Sequence, residues 1–108
     1  MSYKISLSDR FEKEIKKLLK KFPSLKSEYS ALIISLKQDP FQGTPIGKDC
    51  YKIRIGIASK GKGKSGGARV ITYVYVAGNT IFLLSIYDKS ERPDITDTDL
   101  LSMLKSFQ

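Results

Sequence analysis

The 108-residue chain contains no histidine and a single cysteine. Without histidine, acid–base chemistry near neutral pH falls to lysine, arginine, tyrosine or a carboxylate. The lone Cys50 excludes an internal disulfide and fits a reducing, cytoplasmic setting. It precedes Tyr51 at the start of an apolar run and reads as a small core residue, because no imidazole is present to activate it as a nucleophile. Neither a Cys/His cluster nor a compact set of carboxylates is present, so neither a metal nor a cofactor is expected. No apolar run approaches the ~18 residues that span a bilayer. Met1-Ser2-Tyr3-Lys4-Ile5 leads straight into a strand-like pattern, so the expectation is no membrane partner and no signal peptide.

Acidic side chains are missing altogether from residues 52–69, which hold Lys52, Arg54, Lys60, Lys62, Lys64 and Arg69. The net charge is +8, and six cations gathered without counter-charges point to an anionic partner. Lys52 and Arg54 lie two apart on a strand-like run and leave the same sheet face ~7 Å apart. A solvated strand face has the same alternation, so the pair alone decides little. Arg69 opens the next strand after a glycine-rich loop, and a hairpin-like return brings it back to Lys52 and Arg54. The loop Gly61–Gly67 is not a Walker A motif: Ala58 stands where Gly63-Lys64-Ser65 needs its first glycine, and the loop joins strand to strand. Its backbone N–H groups with Lys60, Lys62, Lys64 and Ser65 suit clasping phosphates; a solvated hairpin connection is the plain alternative.

One domain over residues 1–108 is expected. Tyr3–Leu7 reads as a first strand, and Ser8 or Asp9 can cap a helix whose Phe11, Ile15, Leu18, Leu19 and Phe22 form an apolar stripe. Pro23 separates it from a second stripe of Leu25, Tyr29, Leu32, Ile33 and Leu36, giving an αα-hairpin. The stretch from Asp39-Pro40 to Gly47 reads as a loop. Three strands follow: Tyr51–Ile57, Ala68–Val76 and Thr80–Tyr87, the last two joined at Gly78-Asn79, as a three-stranded antiparallel meander. Thr96 then caps a short helix with Asp99 at the capping-box position and Leu100, Leu101, Leu104 and Phe107 on its apolar side. The expected fold is α+β, in the order βααβββα, with two helices on one sheet face and the cations on the other, uncovered face. The charged stretch Tyr87, Asp88, Lys89, Glu91 and Arg92 falls at the edge of that face. Tyr73 and Tyr75 are expected to pack beside the sheet rather than stack bases.

In element order, and in Cys50-Tyr-Lys-Ile-Arg54, Gly63-Lys-Ser-Gly-Gly-Ala-Arg-Val-Ile71 and Leu83-Leu-Ser-Ile-Tyr-Asp-Lys-Ser-Glu91, the chain resembles the RelE/ParE superfamily of bacterial toxins. The glycine-rich element is similar to the RelE/HigB-like branch. The resemblance implies a toxin of a toxin–antitoxin pair: a cytoplasmic, ribosome-dependent endoribonuclease that cleaves mRNA in the A site. It implies attack by the 2′-hydroxyl without metal or cofactor, contact with 16S rRNA, and an oligomer with a cognate antitoxin. By the same resemblance Lys52 acts as, or supports, the general base, Arg54 contacts the phosphate, and Arg69 stabilises the transition state. Ser90 and Thr96 stand where the family has a further arginine and a tyrosine, so Tyr87, Lys89 or Glu91 would take over. Two rivals remain at this point: a ParE-like inhibitor of DNA gyrase without nuclease activity, and an RNA-binding module without turnover.

Overall fold

The computed structural model describes residues 2–57, 67–91 and 94–105. The chain starts with strand β1 (Lys4–Leu7), followed by helices α1 (Asp9–Lys21) and α2 (Leu25–Gln38). Ser8 caps α1 by accepting the Phe11 N–H at 3.0 Å, and its hydroxyl donates to the Leu84 carbonyl at 3.0 Å. One small side chain thus ends a strand, starts a helix and docks both on the sheet. Asp9 and Glu12 in the first turn and Lys20 and Lys21 in the last complement the helix dipole.

The remaining elements are β2 (Thr44–Gly47), β3 (Cys50–Ile55), β4 (Ala68–Tyr75), β5 (Thr80–Asp88) and α3 (Asp97–Lys105). The sheet has five strands in the order β1-β5-β4-β3-β2, with β1 parallel to β5 and the other neighbours antiparallel. The expected meander is therefore present as β3-β4-β5, but it is extended on both sides. Thr44–Gly47, expected as loop, is an edge strand; Pro45 costs nothing there, since an edge leaves one side of the ladder without a partner. Gly43, at φ +93°, lets the chain enter β2 close to Lys52: a β-carbon on it would meet the Lys52 carbonyl and the Ile53 side chain. β4 stops at Tyr75, and a 3₁₀ turn over Val76–Gly78 with Asn79 in the left-handed region (φ 48°) makes the reversal.

Period-two alternation divides the sheet into two faces. One carries Ile53, Ile55, Val70, Ile81, Leu83 and Ile86 against Phe11, Ile15, Leu18, Leu25, Leu32 and Leu36 of α1 and α2. The other carries Cys50, Ile71, Leu84 and Tyr87 against Leu100, Met103 and Leu104 of α3. The expectation of an uncovered second face is thus corrected: α3 closes one end of it. Its buried residues fall at i, i+3 and i+4 from Leu100, so Met103 points inward while Leu101, expected on the apolar side, is exposed. Phe107 lies outside the described residues. Thr96 and Asp99 form the expected capping box, Thr96 Oγ1 accepting the Asp99 N–H at 3.1 Å.

Candidate active site

Register brings the cations together. Arg54 of β3 lies opposite Arg69 of β4, and Arg69 lies opposite Tyr87 of β5. Directly opposed residues share a face, so Arg54, Arg69 and Tyr87 form a row across three strands at ~4.8 Å per step. Lys52 stands two residues along β3 from Arg54, ~7 Å away on that face, opposite Ile71. The row occupies the end of the sheet that lies away from the Cys50–Tyr73–Phe82 end.

The three cations differ in environment. Arg69 is 3% exposed, and its Nη1 donates to the Ala68 carbonyl at 3.2 Å. Burial lowers its pKa and the like charge of Arg54 lowers it further, while Tyr87 and Asp94 act in the opposite direction. A guanidinium keeps its proton at any ordinary pH, so the consequence is a buried positive charge crowded by a second one. Such a charge gains from an arriving anion. Arg54 is exposed. The Lys52 side chain is one-quarter exposed, and its Nζ donates to Asp94 Oδ1 at 3.2 Å. The Ile95 N–H at 2.8 Å, followed by the hydrogen bond from Lys52, holds the Asp94 carboxyl below its ordinary pKa.

The strands are held in place from behind. A bulge interrupts β5 opposite Ile71 and Thr72. There Glu14 of α1 accepts the Ser85 hydroxyl at 2.8 Å and the Ile86 N–H at 3.3 Å, fixing β5 one residue before Tyr87. After β5, buried Asp88 accepts the Ser90 N–H at 3.0 Å and the Ser90 hydroxyl at 2.8 Å, and the Lys89 N–H donates to the Gly67 carbonyl at 3.1 Å. The last of these bonds ties the start of β4 to the end of β5, beside the strand register that sets Arg69 opposite Tyr87.

Of the residues singled out in the sequence, Lys52, Arg54, Arg69 and Tyr87 are brought onto one face. Tyr87 is 6% exposed and packs in the cluster with α3. Lys89 follows the row with its side chain exposed. Glu91 is not brought to the row: its Oε1 accepts Lys21 Nζ of α1 at 2.7 Å, on the helical side of the sheet. Lys60, Lys62, Lys64 and Ser65 lie outside the described residues. Ser90 and Thr96 both serve local structure, the first closing the turn on Asp88 and the second capping α3. Cys50 is 1% exposed, and burial pushes its thiol up to about 11, as an inert core residue should show. Asp94 and Glu14 were not foreseen. Asp94 reads as one of three acids, with Asp97 and Asp99, at the start of a helix, where negative charge suits the dipole; nothing in the spacing links it to Lys52.

Residues 10–107 match the family described as the RelE toxin of the RelE/RelB toxin–antitoxin system. The chain belongs to the RelE toxin family. Among solved structures, a double arginine-to-alanine mutant of the Escherichia coli toxin RelE in the free state is similar with a TM-score of 0.68 at 19% identity, covering 100% of both chains. The toxin-bearing match in the intact E. coli RelBE toxin–antitoxin complex gives 0.63 at 20% identity, over 81% of this chain and 96% of that one. The same E. coli mutant bound to an antitoxin RelB peptide gives 0.62 at 19% identity, over 96% and 95%. At these identities the likeness establishes the RelE fold, and the family match establishes a toxin-family chain. No helix among the described residues is long and apolar enough to cross a membrane, and none of them forms a His/Cys/Asp/Glu group able to hold a metal ion.

Chemically, the row is open to an anionic group at exposed Arg54 and partly exposed Lys52, whereas Arg69 and the Tyr87 hydroxyl are buried. Arg69 and Arg54 offer planar forks of N–H donors, Lys52 offers a movable ammonium, and Tyr87 offers a hydroxyl on the neighbouring strand.

Proposed function

We propose that this RelE-family protein is a ribosome-dependent endoribonuclease that cleaves mRNA in the ribosomal A site. The observation that carries the reading is the registered row of Arg54, Arg69 and Tyr87 with Lys52 on the same face. In the proposed reaction the RNA 2′-hydroxyl loses its proton and its oxygen bonds to the adjacent phosphorus. The bond from phosphorus to the 5′-oxygen of the next nucleotide breaks, leaving a 2′,3′-cyclic phosphate, and the departing oxygen takes up a proton. Lys52 assists deprotonation of the nucleophile. Arg69 and Arg54 stabilise the extra charge on the non-bridging oxygens, a type of contribution worth about 10²–10³-fold per donor. Tyr87 or Lys89 supplies the proton to the leaving oxygen. The chemistry asks for charge placement and proton transfer, both within reach of a histidine-free site.

Lys60, Lys62, Lys64 and Ser65 would clasp the flanking RNA and 16S rRNA backbone. The protein would act in the cytoplasm and be neutralised by a cognate antitoxin of acidic surface, a reading supported by the antitoxin-bound relatives and by the net charge of +8.

Toeprinting of ribosomes programmed with a defined mRNA tests the reading. The wild-type protein should produce new 3′ ends within the A-site codon, and Lys52→Ala and Arg69→Ala should abolish them while still binding ribosomes. Intact mRNA under these conditions, together with loss of gyrase supercoiling on adding the protein, would favour a ParE-like target instead.

A further inference from the structure

Asp94 is a carboxylate that reaches the cationic row. Both of its hydrogen bonds use Oδ1: Lys52 Nζ donates at 3.2 Å and the Ile95 N–H at 2.8 Å. The Ile95 side chain packs against the second core cluster, which anchors the backbone at this point. The Asp94 side chain is nonetheless 66% exposed. The field of Arg69 also acts on it. A negative charge is therefore delivered to Lys52 and Arg69 by a fixed backbone, its own Ile95 N–H included, yet its link to Lys52 is a single solvent-washed contact. Exposed ion pairs of this kind are weak and easily exchanged. A phosphate that engages Arg69, Arg54 and Lys52 together outcompetes a single carboxylate on Lys52.

We propose that Asp94 sets the affinity of the site: its carboxylate stands where an RNA phosphate must bind beside Lys52, and RNA binding displaces it. This inference rests on the reading of the row as an RNA site. In the free protein the carboxylate offsets part of the local positive charge. In the bound protein it is a like charge close to the phosphate, so it moderates binding in both states. The expected consequence is a toxin that releases weakly held RNA and retains only strands presented in the right geometry.

The experiment measures binding of a short fluorescent single-stranded RNA, methylated at every 2′-oxygen so that it is not cleaved, by anisotropy over a range of salt concentrations. Asp94→Asn should bind about two- to five-fold more tightly than wild type, the range that loss of one surface ion pair sets. Its plot of log K against log salt should be steeper by up to about 0.7, one further phosphate contact on a single strand. Asp94→Glu, which keeps the charge, should stay near wild type. Unchanged or weaker binding by Asp94→Asn, with Lys52→Ala and Arg69→Ala both weakened, overturns the role of Asp94 and leaves the RNA site standing. Wild-type binding by Lys52→Ala and Arg69→Ala overturns the site and this inference with it.

Discussion

Two ends of one sheet face are built from the same three strands and behave as different materials. At one end Cys50, Tyr73 and Phe82 lie opposite one another on β3, β4 and β5, with the Tyr73 and Phe82 rings stacked at 5.8 Å. Helix α3 closes over this end with Leu100, Met103 and Leu104. At the other end the same strands carry Arg54, Arg69 and Tyr87, with Lys52 beside them; Tyr87 also packs in the cluster with α3 and so joins the two ends. The backbone ladder is continuous from end to end, so it is the covering element and the side chains that separate support from chemistry. Burial at the α3 end holds the strands in register, and register at the cationic end keeps like charges together that would otherwise move apart. The comparison predicts that stability and activity can be altered separately.

The largest effect should come from Leu100→Ala, which removes a 3%-exposed side chain from the α3 end. A cost of about 2–5 kcal/mol is expected in the denaturant midpoint. Arg54→Met, at the exposed end of the row, should change stability by no more than about 0.5 kcal/mol, while reducing cleavage by about 10²-fold if Arg54 stabilises the phosphate in the transition state. A large loss of stability in Arg54→Met would show that the cationic end is also structural, and would break the separation.

Gly67→Ala sits where the two functions meet. A β-carbon at Gly67 would strike the Ile55 carbonyl and the Gly56 backbone, next to the Arg54–Arg69 pair. Backbone atoms cannot yield as a side-chain tip does, so β3 and β4 must separate locally. We expect about 1–3 kcal/mol of destabilisation, together with a loss of cleavage larger than unfolding explains. Cleavage at the wild-type level in folded Gly67→Ala protein would mean that the close strand approach does not position the row.

How far this division is legible in the sequence depends on the range of the interaction. The helices were readable because their signals lie within one turn, as with Ser8 and Phe11 or Thr96 and Asp99. The cationic row was readable in outline because alternation puts Lys52 and Arg54 on one face, and a hairpin return brings Arg69 to them. The edge strand Thr44–Gly47 was hidden by Pro45 and two glycines, which favour loops locally and are tolerated only because the strand is outermost. The partial cover by α3 was also hidden: an amphipathic helix announces that it has an apolar face, not which end of a sheet receives it. Asp94 was least legible of all, because its partner is 42 residues away and only tertiary placement joins them.

Alkaline titration compared between wild type and Cys50→Ala probes the covered end. The Cys50 thiol is raised from its ordinary 9.0 to about 11 by burial, with the charge of Asp49 adding to it. Between these values the unfolded chain has lost the proton and the folded chain still holds it. Stability therefore falls as pH rises through this window, by about 2 kcal/mol at its upper end. Urea unfolding of the wild type and of Cys50→Ala at several pH values checks this, and the steeper alkaline decline should belong to the wild type. Parallel declines would mean that solvent already reaches Cys50, and that α3 covers less than its packing suggests.

The smallest effect concerns the turn that delivers β3 to the covered end. Lys48 and Asp49 both lie in the left-handed region, at φ 55° and 62°, directly after Gly47 at φ 93°. Left-handed backbone costs an L-residue about 1–2 kcal/mol, less for aspartate, which tolerates it better than most. The strain is held because the Asp49 carbonyl accepts the Val74 N–H at 2.9 Å, joining the turn to β4 beside Tyr73. Asp49→Gly keeps that carbonyl and relieves the φ, at the expense of a more flexible unfolded chain. A net gain of about 0.5 kcal/mol is expected in the urea midpoint, with cleavage unaltered, since the turn and the Arg54 row lie at opposite ends of β3. If cleavage moved with the turn, the ends would be coupled along the strand, and the ladder would be transmitting strain rather than only holding register.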